Sequence, residues 1–71
     1  MSPNAQVVRD AAHALKRSFY ASLRRLQVEK SEDALIVTGR VPSWYLKQVA
    51  QETIMSVRGS LRLENRVFVE N

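Results

Sequence analysis

Val8, Ala11, Ala12, Leu15 and Phe19 recur at steps of three and four residues, while Arg9, Asp10, His13, Lys16 and Arg17 fall between them. That spacing gathers the apolar set on one stripe of a helix and the charged set on the other side. Ser2 followed by Pro3 reads as an N-cap with proline at the first helical position, so a helix is expected over about 3–18. No glycine or proline marks its end, and 20–25 could continue as another turn. From Leu26 the period shortens to two: Leu26 and Val28 alternate with Gln27 and Glu29, which predicts a strand over about 26–30 with one buried face.

Lys30, Ser31, Glu32 and Asp33 are turn-prone and are expected to close a hairpin onto a second strand, about 34–41. Leu35, Val37, Gly39 and Val41 share one face of that strand, and Ile36, Thr38 and Arg40 the other. Gly39 has no side chain to pack, so it is expected to let a helix backbone approach the sheet closely. Ser43 is a credible cap for a second helix over about 44–58, in which Leu46, Val49, Ala50, Thr53, Ile54 and Val57 hold helical spacing. Gly59 then supplies the left-handed residue that commonly ends a helix, and Arg58 suits the negative end of its dipole. A last strand, about 62–70, alternates Leu63, Val67 and Val69 with Arg62, Glu64, Arg66 and Phe68, with Asn65 as the polar exception on the apolar side. Helix, strand, strand, helix, strand predicts an α+β fold: αββαβ, a small three-stranded mixed sheet with two helices packed on one face and the other face open.

Composition narrows this picture without redirecting it. Seventy-one residues allow a single domain over 1–71, and 45% hydrophobic content with two glycines and two prolines suits a packed core. There is no cysteine, which excludes disulfide staples and zinc knuckles. The N-terminus lacks an apolar signal core and no run is long enough to cross a bilayer, so no export address or transmembrane segment is expected within the chain. The net charge of +4 favours anionic partners.

The segment from Ala34 through Gly39, Val41 and Ser43, the helix bearing Ala50, and Gly59 with Leu63, Asn65, Val67 and Val69 together resemble the BON family. In that pattern a strand ends in a glycine followed by a valine, an alanine-bearing helix comes next, and a glycine precedes a strand with an internal asparagine. Gly39 and Val41, Ala50, and Gly59 with Asn65 occupy those places, and the likeness spans nearly the whole chain. One departure is Ser60, where the family usually has valine; Leu61 is the residue placed to fill the space. The resemblance implies a non-catalytic module associated with bacterial envelopes that attaches proteins to phospholipid membranes, often in tandem pairs. It is also the only pointer to an envelope or periplasmic location.

Lys16, Arg17, Phe19, Tyr20, Arg24 and Arg25 crowd cations and rings around the end of the first helix. Such a cluster suits an anionic lipid interface, with Lys16, Arg17, Tyr20, Arg24 and Arg25 as the binding residues. The plainer alternative is a solvated basic face with Phe19 turned into the core. Trp44 lies off the apolar stripe of the second helix and is either an exposed anchor or a lid folded over the core's edge; with Met55 on a similar face it could form an apolar patch. Ile36 and Phe68, on the open sheet face, would form a dimer or domain interface if adjacent, and otherwise a shielding pair. A protein-interaction or homo-oligomerisation module using Ile36, Phe68 or Trp44 is therefore the alternative function.

Catalysis finds no support: His13 is the only histidine and sits on the polar side of its helix, with no nucleophile or carboxylate pair to work with it. No metal-ligand spacing and no cofactor motif is present, and Glu32 and Asp33 read as turn residues. Nucleic acid is disfavoured because the chain lacks the GxxG loop of KH domains and the aromatic strand motif of RRM domains.

Overall fold

The computed structural model describes the backbone of residues 3–70 and the side chains of residues 5–70. Helix α1 runs Pro3–Lys16, with Ala11 and Leu15 fully buried and Val7 and Val8 packed beside them. The expected cap Ser2 lies outside the described residues. The helix ends two residues earlier than its pattern implied, as the backbone N–H of Ser18 bonds back to the Leu15 carbonyl at 3.1 Å, a tightening turn. Phe19 therefore leaves the stripe, and the expectation that it could turn into the core is overturned: it is 98% exposed. A separate short helix, α2 (Ala21–Arg24), follows. Its Leu23, with Leu26 just beyond, joins the buried core.

Strand β1 (Gln27–Ser31) pairs antiparallel with β2 (Ala34–Thr38), from Ser31 opposite Ala34 to Gln27 opposite Thr38. The two-residue turn between them holds Glu32 at a φ of 54°. Strand β3 (Arg40–Val41) continues beyond Gly39, β4 (Arg62–Asn65) lies parallel to β2, and β5 (Phe68–Val69) lies parallel to β3. The two parallel pairs form one ladder in unbroken register. Backbone N–H groups of Arg66, Phe68 and Glu70 bond the carbonyls of Val37, Gly39 and Val41 at 2.8–2.9 Å. The second and third strands expected from sequence are thus each present as two short segments. The order β1-β2-β4 puts the most apolar strand in the middle.

Gly39 has a different neighbour from the one expected. Its φ is 134°, and a Cβ there would lie 2.5 Å from Leu26 Cδ2, so the segment entering β1, not a helix backbone, makes the close approach. Ile36 also departs from expectation. It lies on the face away from the helices, yet is only 6% exposed, and so is unavailable as a docking residue. Its cross-strand neighbours are Glu29 and Glu64, and a chain of ion pairs roofs that face: Arg62 reaches Asp33 at 3.5 Å and Glu64 at 3.6 Å, and Glu64 also pairs with Arg66. The alkyl stems of such residues cover apolar surface while their charged heads stay in water.

Helix α3 runs Trp44–Met55 and begins as its sequence suggested, with Ser43 Oγ accepting a hydrogen bond from the Leu46 N–H at 3.2 Å. Ser43→Ala is expected to cost about 1 kcal/mol of stability, read by urea denaturation. Ala50 and Ile54 are fully buried and face Ala11, Leu15, Leu35 and Val37, so both long helices pack on one face of the sheet. The helix stops at Met55, short of the expected 58. Near its end Thr53 and Ser56 turn their hydroxyls onto the carbonyls of Val49 and Thr53, both at 2.8 Å, and compete with continued helix. Gly59, at a φ of 62°, serves the following turn, and a Cβ there would lie 3.0 Å from Val7 Cγ2. Leu61, beside the exposed Ser60, enters the core. Asn65 also finds its reason: Nδ2 donates to the Lys47 carbonyl at 3.3 Å and Gln51 Oε1 at 3.4 Å, while Oδ1 accepts the Val67 N–H at 3.1 Å. It ties α3 to the sheet where β4 gives way to β5.

Candidate functional site

Between Asp10 and Glu29 the chain carries no carboxylate but four full cations, Lys16, Arg17, Arg24 and Arg25, a local charge equal to the net +4 of the whole molecule. The fold does not neutralise it. Arg40, Arg62 and Arg66 form ion pairs on the strands, whereas none of these four has an acidic partner among the described residues. All four are exposed. They flank the α1–α2 corner, at whose tip Phe19 stands almost wholly in solvent.

The corner is built rather than slack. Arg24 donates from Nη1 to the carbonyls of Ser18 and Phe19 at 2.8 and 3.0 Å, and Ser18 Oγ accepts the Tyr20 N–H at 3.1 Å. Arg24 therefore holds the loop that presents Phe19, a task the sequence reading, which placed it only among lipid-binding cations, did not foresee. Tyr20 is 38% exposed and meets Tyr45 of α3 edge to face, with centroids 6.3 Å apart, planes at 82° and hydroxyls 3.5 Å apart. The hydrogen bond with Tyr45, then the charge its partner would carry, raise the Tyr20 phenol above its ordinary value. It stays neutral through the physiological range, and the contact fastens the corner to the start of α3. A scan against protein-family models and a search of curated proteins both give no match.

The other sequence-selected residues are scattered. Trp44 is 68% exposed, with Lys47 Nζ 5.2 Å from its ring centroid, so it does not fold over the core's edge. Met55 is half exposed, but Gln48 and Gln51 separate it from Trp44 along the same helix face, so the pair forms no continuous apolar patch. Phe68 is exposed opposite Arg40, whereas Ile36 lies opposite Glu64, so the two are not adjacent and form neither a shared interface nor a shielding pair. Gly39, Val41, Ala50, Gly59 and Asn65, the positions that carried the family resemblance, all serve packing, turns or the α3–sheet tie. His13 is exposed, and no group of three acidic, histidine or cysteine side chains able to hold a metal occurs among the described residues. No helix among them is long and apolar enough to cross a membrane. Tyr45 was singled out in the sequence only together with Trp44 at the start of the second helix, and its pairing with Tyr20 was missed. Its signal was adjacency to Trp44 alone, which says nothing about Tyr20.

Proposed function

We propose that this chain is a non-catalytic, BON-like binding module that attaches to anionic phospholipid surfaces through its α1–α2 corner. The observation that carries this reading is Phe19, 98% exposed on a hydrogen-bonded loop among four cations that have no acidic partner among the described residues. Leaving a phenylalanine side chain in water rather than in an apolar medium forgoes about 1.5–3 kcal/mol. At a lipid interface that ring reaches the acyl boundary while Lys16, Arg17, Arg24 and Arg25 meet the headgroups, each cation adding about 1 kcal/mol. Neither signal suffices alone, and stable attachment of a peripheral domain generally takes both. Tyr20, with its neutral phenol beside that of Tyr45, suits headgroup depth. The resemblance in Gly39, Val41, Ala50, Gly59 and Asn65 points the same way.

A second reading, a protein-interaction module, draws support from the exposure of Trp44 and Phe68. Ionic strength separates the two, because attraction between surface cations and a charged membrane is screened by salt and apolar docking is not. Co-sedimentation with phosphatidylglycerol-containing and with neutral vesicles, at low and high salt, is the test, beside Arg17→Glu/Arg25→Glu; Arg24 is left in place because it holds the loop. The expected result is salt-sensitive binding to the anionic vesicles only, lost in the variant. Absence of binding at any salt moves the function to a protein partner.

A further inference from the structure

Strand β1 ends opposite Thr38, so beyond Gly39 that edge of β3 has no strand beside it. Helix α2 lies there instead. Between them is a groove of about 430 Å³ lined by Ser22, Arg25, Arg40, Val41, Pro42 and Glu70, of a size that suits a small ligand or headgroup. Two arginines line it, Arg25 at the end of α2 and Arg40 on β3. Arg40 has one acidic neighbour, Glu70, at 3.6 Å, with both side chains more than half exposed. Arg25 has no acidic partner among the described residues.

We infer that this groove is a phosphate site: Arg25 and Arg40 together grip the phosphodiester of an anionic phospholipid headgroup, and Glu70 is the internal anion it displaces. Glu70 meets Arg40 through a single contact, which leaves Arg25 without an acidic partner among the described residues. A tetrahedral phosphate offers oxygens to two planar donors at once, and arginine matches that geometry. Ser22 adds a hydroxyl to the lining, and Val41 and Pro42 complete it with apolar groups. With two cations against one carboxylate the groove is net positive when empty. Ser22 is three residues from Phe19, no more than about 11 Å even along a stretched chain. A headgroup in the groove and a ring at the acyl boundary thus fall within the span of one lipid. As a lipid site this rests on the membrane reading; as a phosphate site it does not.

The ion pair makes the test two-signed. Glu70→Gln removes the competitor and is expected to strengthen binding to phosphatidylglycerol vesicles about threefold to fivefold; Arg40→Gln is expected to weaken it by a similar factor. Each is compared with a charge-matched change on β1, Glu29→Gln and Lys30→Gln, in the full chain. Shifts no larger than those of the controls overturn the groove while leaving the membrane reading intact. In parallel, inorganic phosphate is titrated while the backbone amides of Ser22, Arg25 and Val41 are followed by NMR. Phosphate-induced shifts abolished by Arg40→Gln, in a protein that ignores vesicles, support the phosphate site and overturn its lipid source. No shift with phosphate and no two-signed vesicle response overturn the proposal entirely.

Discussion

Phe19→Ser is expected to lower partitioning onto phosphatidylglycerol vesicles by about tenfold to a hundredfold, which is the loss of about 1.5–3 kcal/mol of side-chain burial. The same change is expected to leave stability within about 0.5 kcal/mol, as for surface positions that touch nothing, because Phe19 is 98% exposed and contributes nothing to the core. That separation is what makes the position informative. A loss of binding caused by damage to the fold would appear in urea denaturation first, and Leu23→Ser, at a fully buried position, is the control expected to show such damage. Unchanged vesicle binding in a folded Phe19→Ser protein would remove the ring from the interface and leave only the cations.

Gly39→Ala is expected to produce the largest single loss of stability from one added methyl group, about 2–5 kcal/mol. Two costs combine. A φ of 134° is one that residues with a Cβ rarely adopt, at about 1–3 kcal/mol. The new Cβ would also sit 2.5 Å from Leu26 Cδ2 in a filled core, an overpacking that typically costs about 1–3 kcal/mol. A domain of this size holds only about 4–10 kcal/mol in total, so the change should remove a large share of it and lower the urea midpoint sharply. Shortening Leu26 to alanine removes the steric part but not the backbone part. The double variant should therefore be more stable than the sum of the two single losses implies, a coupling that neighbouring residues show and distant ones do not. A loss below about 1 kcal/mol for Gly39→Ala would mean that the strand edge relaxes freely at this point.

The same two residues mark what a sequence can and cannot disclose here. Gly39 was legible as a close approach because a glycine inside an alternating strand has few other uses; its partner was not, since Leu26 reaches it only through the turn of the chain after α2. The stripe of α3 was legible through Ser43, Ala50 and Ile54, where cap and period agree. The end of α1 was not. Phe19 keeps perfect helical spacing with Leu15, and only the end of α1 at Lys16, with the turn at Ser18, puts the ring in solvent while Leu23 of the next helix is buried. Ile36 was misjudged for a related reason: alternation assigns a face, but whether that face is covered depends on Arg62, Glu64 and Arg66 from a strand about thirty residues away. The cations of the corner were plain in the sequence, whereas the holding role of Arg24 and the pairing of Tyr20 with Tyr45 depend on geometry.

Insertion of the α1–α2 corner is tested most directly by moving the reporter to the tip. Trp44 is the single tryptophan, so Trp44→Phe combined with Phe19→Trp leaves one fluorophore at the tip of the loop. On phosphatidylglycerol vesicles its emission is expected to shift to the blue and to be quenched by lipids brominated along their acyl chains, with high salt reversing both effects. Emission that stays solvent-like and unquenched while the protein sediments with the vesicles would contradict insertion and place the contact on another surface.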